Sequence, residues 1–268
     1  MIFDDFNEEP LDPHWIQTCI GGGTLHLANS VLRMAFDSAR QGQYTDAQID
    51  DYGDLPRSAF SWRPPLRMQV TARSSSPAAT PSISESAGIL RGTAGFGFWN
   101  YPFSVRGDIL ALPEAIWFFY ASPPSNMALV PGIPGCGWKA QVVHTIRPGA
   151  LAATVPLAVT ATFGLLTGEI RPAARWMQRL AGAHEALLPV EMTAWHNYTL
   201  EWHRNEALFW VDDKLVLRAP QPPGRPLGFV AWLDNQYAIA TPRGVLRFGT
   251  VASGPQWFEL DSLKIEPI

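Results

Sequence analysis

The sequence predicts an all-β protein, a two-sheet antiparallel β-sandwich with a helical insertion at roughly residues 149–188. Three observations lead there. Apolar and polar residues alternate with period two from one end of the chain to the other. Turns rich in Pro and Gly (24 and 22 residues) separate many short apolar runs. One charge-free region, residues 149–168, breaks the rhythm.

Leu25 and Leu27, then Leu32, Met34 and Phe36, flank Asn29-Ser30 and predict a hairpin. Leu66, Met68, Val70 and Ala72 alternate with Arg67, Gln69, Thr71 and Arg73, the pattern of a strand with one buried face. Residues 74–86, dominated by Ser, Pro and Ala, predict a long exposed loop. Residues 95–99, 115–121 and 139–146 follow as strands. Tyr198, Leu200 and Trp202 alternate with Thr199, Glu201 and His203. Residues 208–211 and 215–217 flank Asp212-Asp213-Lys214 as a second hairpin, and 228–233 and 257–265 complete the strands. With no repeat and no linker, residues 1–268 read as one domain.

The insertion divides in two. Residues 149–168 are long enough to span a membrane, but Pro156, Gly164 and many small side chains weaken that reading. Residues 171–188 place Ala174, Met177, Leu180 and Ala181 on one helical side, with Arg171, Arg175, Gln178 and Arg179 elsewhere. The expectation is a helical pair packed on the sandwich. A homodimer contact is the first alternative and membrane contact the last.

Composition excludes several classes. Charged residues make up 16% of the chain and the net charge is −4, so no basic stripe awaits nucleic acid. The 11 Trp, 14 Phe and 6 Tyr exceed what a core of this size needs and point to an aromatic groove. Cys19 and Cys136 are too few for a disulfide framework, and whether they form one bridge stays open. The segment MIFDDF shows no signal peptide, which implies a cytoplasmic protein. The six histidines lack zinc spacing, and Gly21-Gly22-Gly23 precedes a strand rather than a helix, so no cofactor is expected. Asp46, Asp50, Asp51 and Asp54 form an acidic stretch without calcium-loop spacing.

Four segments carry a resemblance. YTDAQIDD (44–51) looks like a YTSGRI-type strand, LRMQVTARS (66–74) like VEARIKLP, and GTAGFGFWN (92–100) like a segment carrying WPAFW. WHNYTLEWHRNEALFWVDDKLV (195–216) is the strongest match, to FHTYAIEW…WYVDGKLV. In these blocks the chain resembles glycoside hydrolase family 16, within the concanavalin A-like lectin/glucanase jelly roll. The family's catalytic strand carries Glu-x-Asp-x-x-Glu or Glu-x-Asp-x-Glu. Here the corresponding stretch is Glu114-Ala115-Ile116-Trp117-Phe118-Phe119-Tyr120. The resemblance puts Glu114 at the nucleophile, Ile116 at the assisting acid, and Phe118 or Phe119 at the acid/base. A retaining glycosidase needs two carboxyl groups about 5–5.5 Å apart, and an alkyl or aryl group serves neither role. Desolvation beside Ile and Phe would raise the pKa of Glu114.

The resemblance also implies a site. His144 matches a strand carrying a His near the catalytic centre, and Asn235 a late strand with an Asn there. Asp234 is the candidate second acid. Trp99, Asn100, Trp117, Tyr120, Trp138 and Trp232, with Ile116 and Phe119, are the candidate groove lining, although the parity of Trp117 against Glu114 favours the core for that ring. Some members of the fold hold calcium on the convex side, for which Asp5 and Asp261 are the only matching residues. The expected function is binding of a carbohydrate or glycoconjugate without hydrolysis. One alternative is an enzyme acting on an apolar small molecule (a cyclase, isomerase or hydratase) in a helix-covered pocket, with Glu114 or His144 as its polar group. Another is an active glycoside hydrolase.

Overall fold

The computed structural model describes residues 1–80, 88–102, 113–127, 129–130, 132–144, 182–240 and 246–268. The first strands are β1 (Ile2–Asp4), β2 (Ile16–Ile20), β3 (Thr24–Ala28), β4 (Val31–Phe36), β5 (Asp46–Asp50) and β6 (Leu66–Ser74). The middle of the chain supplies β7 (Thr93–Trp99), β8 (Glu114–Ala121), β9 (Gly137–His144) and β10 (Gly182–Leu187). Then come β11 (His196–Trp202), β12 (Glu206–Val211), β13 (Lys214–Pro220), β14 (Gly228–Asp234), β15 (Gln236–Ala240), β16 (Leu246–Thr250) and β17 (Gln256–Pro267). One 3-10 turn, Arg57–Ala59, lies between β5 and β6.

The strands form two large antiparallel sheets. One has the order β13-β12-β11-β6-β17-β4-β3, with β1 also paired to β17; the other runs β10-β9-β8-β7-β14-β5-β2. Strands β15 and β16 make a separate ribbon. Both expected hairpins form. The pairs Ala28↔Val31 and Val211↔Lys214 leave two-residue turns. Asn29, Ser30, Asp212 and Asp213 all have positive φ (54°, 60°, 47° and 64°). A tight turn with both central residues left-handed matches strand twist, and Asn and Asp tolerate that region best.

Between the sheets, alternate residues from each strand interdigitate. Phe96 and Phe118 of one sheet meet Tyr198, Phe209 and Phe258 of the other at ring-centroid distances of 5.0–6.1 Å. Trp138 is fully enclosed, and its indole N–H donates to the Tyr198 hydroxyl at 3.2 Å. Tyr120 donates to the Leu90 carbonyl and accepts from the Ala79 N–H. Ile116, Tyr120 and Trp138, expected in a groove, therefore belong to the core. Even-numbered residues of β8 and β9 face the opposite sheet, which clustering in sequence does not reveal.

Two further expectations change. Residues 182–187, assigned to the end of a helix, form β10 and pair with β9 from Gly182↔His144 to Leu187↔Lys139. Gly182 interrupts the helical pattern, and the unpaired edge of β9 supplies a complete ladder instead. The rest of the expected insertion, with its homodimer and membrane alternatives, falls within 145–181, outside the described residues. Among the described residues no helix is long and apolar enough to cross a membrane. The expected loop at 74–86 starts late and is not wholly exposed, since Ser74 ends β6 and Ala79 is buried. Cys19 and Cys136 are both free thiols, which settles the bridge left open above.

Replacing a fully enclosed Trp by Ala costs about 3–5 kcal/mol. Trp138→Ala is expected to lower stability by that amount in urea denaturation. A loss below ~1 kcal/mol would contradict its place between the sheets.

Candidate functional site

The site is built on the outer face of the seven-stranded sheet. On β8 the core takes Ile116, Phe118 and Tyr120, so Ala115, Trp117, Phe119 and Ala121 face outward. Antiparallel register carries this parity across the sheet. Trp117 pairs with Gln141 on β9, which pairs with Glu185 on β10; Phe119 pairs with Lys139. On the other side, Trp117 and Phe119 oppose Gly97 and Gly95 of β7, and these oppose Val230 and Trp232 of β14. Asp46, Gln48 and Asp50 of β5 complete the face.

An aromatic cluster occupies its middle. Trp117 stacks on Phe119 (5.2 Å, 19°) and meets Trp232 at 5.2 Å and Trp99 at 5.9 Å. Tyr101, Tyr52 and Phe60 extend it beyond Trp99 with centroid spacings of 5.0–5.5 Å. Trp117 and Trp232 stand on strands separated by β7, so two strand spacings, about 9.6 Å, lie between their backbones. Their contact requires both rings to lean over β7, and the glycines there make it possible. A Cβ on Gly97 would lie 2.5 Å from Trp117 Cβ, and one on Gly95 would lie 3.0 Å from the Trp232 ring. Phe119 and Trp232 are each 7% exposed, while Trp99 and Trp117 are half-buried.

Polar groups flank this cluster on both sides. On the β9–β10 side, the Trp117 indole N–H donates to Gln141 Oε1 (2.6 Å), and Gln141 Nε2 donates to Glu185 Oε1 (2.5 Å). Lys139 Nζ lies 3.4 Å from the same oxygen, and the side chains of Lys139 and Glu185 are 3% and 0% exposed. Glu185 Oε2 is buried without a hydrogen-bond partner.

On the β14–β5 side, Trp232 Nε1 donates to Thr93 Oγ1, which donates to Asp234 Oδ1. The backbone N–H groups of Thr93 and Gln236 also donate to that oxygen. Asp46 is the direct cross-strand partner of Asp234. Burial raises the pKa of Asp46 to about 8, with the charge of Asp234 adding to the shift and a hydrogen bond from Tyr44 opposing it. Burial takes Asp234 only to about 6, because its three donors favour the ion. Near neutral pH the pair therefore carries a proton, held on Asp46.

Glu114 and His144 lie elsewhere. They oppose each other across β8 and β9, with His144 Nε2 3.5 Å from Glu114 Oε1. Both share the parity of the core residues, and His144 Nδ1 bonds the Gln221 carbonyl just after β13 of the other sheet. The pair occupies the inter-sheet side at one end of the sandwich. Burial does raise the pKa of Glu114, opposed by His144 and Arg225, as its desolvation implied. Glu114 is nevertheless not in the groove. Asp234 aligns across β7 with Ala121, seven residues from Glu114 along β8, or about 23 Å at the usual strand rise. These two acids cannot work together.

Asn100 is also structural: its Oδ1 accepts from the Glu114 N–H and its own N–H donates to the Glu114 carbonyl. Asn235 is fully buried, accepting from Thr45 N–H and donating to the carbonyls of Arg40, Gln43 and Val251. Asp261 is the extra residue of a bulge in β17 and, like Asp5, is exposed. Among the described residues no group of three or more His, Cys, Asp or Glu side chains could hold a metal. Of the expected groove residues, Trp99, Trp117, Phe119 and Trp232 come together, with Asp234 at one end. Lys139, Gln141, Glu185, Tyr52 and Asp46 are additions, recoverable from sequence only once the parity of each strand is known.

Comparison with known proteins bears on the fold. The chain is similar in structure to an immunostimulatory antigen and pseudo β-1,3-glucanase of Mycobacterium tuberculosis (TM-score 0.55, 14% identity, 100% of this chain and 98% of that one). It is similar to the laminarinase catalytic domain of Thermotoga maritima (0.53, 11%, 100% and 97%). It also resembles a GlcNAcα1-4Gal-releasing endo-β-galactosidase of Clostridium perfringens (0.53, 12%), matched over 100% of this chain and 62% of that one. The fold is that of the concanavalin A-like glucanases. At these identities the likeness is one of fold. No protein-family profile and no curated protein sequence matches the chain.

The acid pair makes a pH prediction. An unfolded Asp releases its proton near pH 4, whereas native Asp46 keeps its proton to about pH 8. The native state thus binds more protons between those limits, and stability falls as pH rises through them. Asp46→Asn is expected to flatten that fall. Its melting temperature should exceed the wild type's at pH 8.5, and the gap should close at pH 4. An unchanged pH profile would show that Asp46 is ionised in the native state.

Proposed function

We propose that the protein binds carbohydrate on the outer face of the seven-stranded sheet and does not hydrolyse it by the mechanism of glycoside hydrolase family 16. The outward positions of β8 carry the reading: Ala115, Trp117 and Phe119 stand at i, i+2 and i+4, the spacing of a Glu-x-Asp-x-Glu motif. A methyl group and two rings replace the acids, and general acid–base help, worth typically ~10²–10⁴ in rate, is lost with them. Indole and phenyl faces are suited to the apolar face of a pyranose ring, and flanking polar groups can meet its hydroxyls. The structural neighbours include a pseudo β-1,3-glucanase, a laminarinase and an endo-β-galactosidase, which supports a saccharide ligand.

Soluble laminari-oligosaccharides, or another neutral oligosaccharide of a glucose- and galactose-based panel, are expected to raise the melting temperature and release no reducing ends. Trp117→Ala is expected to weaken binding by tenfold or more, measured by calorimetry. If no saccharide of the panel binds, the proposal fails.

A second reading rests on Asp46 and Asp234. They are two cross-strand carboxyl groups whose environments separate their pKa values, as an acid/base pair requires. It predicts that reducing ends are released and that Asp234→Asn abolishes the release while the protein still binds the saccharide.

A further inference from the structure

A groove lies away from the aromatic face, where the sandwich is open along one side. Strands β2 and β3 are edge strands of opposite sheets, so no ladder closes the gap between them. Stacked sheets stand about 10 Å apart, wide enough for an alkyl chain to enter. Strand parity sets the walls. Leu25 and Leu27 of β3 pair with the core residues Met34 and Leu32, and Gln17 of β2 pairs with the enclosed Ile49. All three therefore point between the sheets. Residues 9–11 of the N-terminal segment form the remaining wall. The groove has a volume of about 450 Å³, within the ~300–1,000 Å³ range of small-molecule sites.

Its floor is apolar and its mouth is open. Leu11 and Leu32 are buried, Leu25 and Leu27 only half-buried, and Gln17 and Glu9 exposed. Among the described residues no group hydrogen-bonds the Gln17 amide or pairs with the Glu9 carboxylate.

Charge selects the occupant. Every wall comes from residues 1–32, which include Asp4, Asp5, Glu8, Glu9 and Asp12 but no Lys or Arg. The first basic residue, Arg33, turns the other way: on the outer face of its sheet, its Nε donates to Glu259 Oε1 at 2.7 Å. A rim of one sign attracts a ligand head of the opposite sign and repels one of its own. We propose that this groove binds a small amphiphile, an aliphatic chain ending in one ammonium group. The chain lies on Leu25, Leu27 and Leu32. The ammonium donates to the Gln17 side-chain carbonyl and the Glu9 carboxylate, both of which accept. This site is independent of the carbohydrate reading.

Three probes of equal chain length separate chain from charge: n-octylamine, 1-octanol and octanoate. Each is titrated below its micelle concentration into the full chain, and leucine methyl resonances report where it binds. Octylamine is expected to shift the methyls of Leu25, Leu27 and Leu32 saturably, with a dissociation constant near or below ~1 mM. The enclosed Leu200 should not respond. Each buried methylene strengthens binding up to about fourfold, so n-butylamine should bind at least about tenfold more weakly. At low salt octanol should bind about threefold more weakly than octylamine, and octanoate about tenfold. Both gaps should narrow in about 0.5 M salt.

Two variants locate the contact, with melting temperatures to establish folding. Gln17→Trp fills the mouth from an exposed position and should abolish the methyl shifts. Glu9→Gln should at least halve the preference for octylamine over octanol. The proposal is overturned if octylamine leaves the groove methyls unmoved, if octanoate binds as tightly as octylamine, or if Gln17→Trp binds octylamine like the wild type. Should Gln17→Trp not fold, Leu25→Gln, which makes the floor polar, decides in its place: undiminished octylamine affinity overturns the assignment.

Discussion

The arrangement of this protein depends on the parity of one strand. Along β8, Ile116, Phe118 and Tyr120 are committed to the core, where each is fully buried against the other sheet. Period-two geometry then leaves Ala115, Trp117 and Phe119 no choice but the outer face. A slip of one residue would exchange the two sets and put Glu114 outside. The slip is forbidden by the core: it would turn three large apolar side chains to the surface and bring Trp117 into space shaped for Phe118. Packing decides the chemistry of the face before any ligand does.

Parity also explains which parts of the site could be seen in the sequence. Alternation at residues 66–73 and 198–203 located strands there, and Asn29-Ser30 and Asp212-Asp213 marked hairpins that form as two-residue turns. Those features are local, and local chemistry determines them. Aligning Glu114 with a catalytic nucleophile failed because β8 is apolar on both faces. A strand buried on both sides loses the alternation that would reveal its orientation. Trp117 and Phe118 look alike in sequence, yet one lies in the outer cluster and the other in the core. Lys139, Gln141 and Glu185 were unreadable for a different reason. Their association arises from β9–β10 register, and β10 lies in a stretch whose periodicity resembled a helix. Asn100 and Asn235 show the opposite error. Their amides satisfy buried backbone groups, a role no motif distinguishes from ligand binding.

The glycines of β7 have a consequence for the whole face. Gly95 and Gly97 remove side chains from the central strand, which would ordinarily weaken it by ~0.5–1 kcal/mol each. The space is filled by Trp117 and Trp232 closing from both sides, and such aromatic pairs contribute ~0.5–1.5 kcal/mol beyond their buried area. The exchange is roughly neutral for stability. Its effect is to bring two indoles together over the stretch of β7 between Thr93 and Trp99, which has no side chains of its own on that face.

Stability alone does not account for the charged groups bordering that surface. Lys139 and Glu185 form a buried pair, and replacing such pairs with apolar residues of similar volume is often neutral or stabilising. Asp46 and Asp234 oppose each other across adjacent strands, and both have carboxyl groups that burial makes reluctant to ionise. A face selected only to cover the sheet would have continued the Trp and Phe cluster to its edges. This one instead changes from aromatic to ionisable on the β9–β10 side, from Phe119 to Lys139 in one strand spacing and from Trp117 through Gln141 to Glu185 in two. A surface with an apolar middle and polar borders matches a ring whose faces are C–H and whose rim is O–H. On the proposed reading, β8 supplies the apolar platform of this face and the neighbouring strands supply its polar rim.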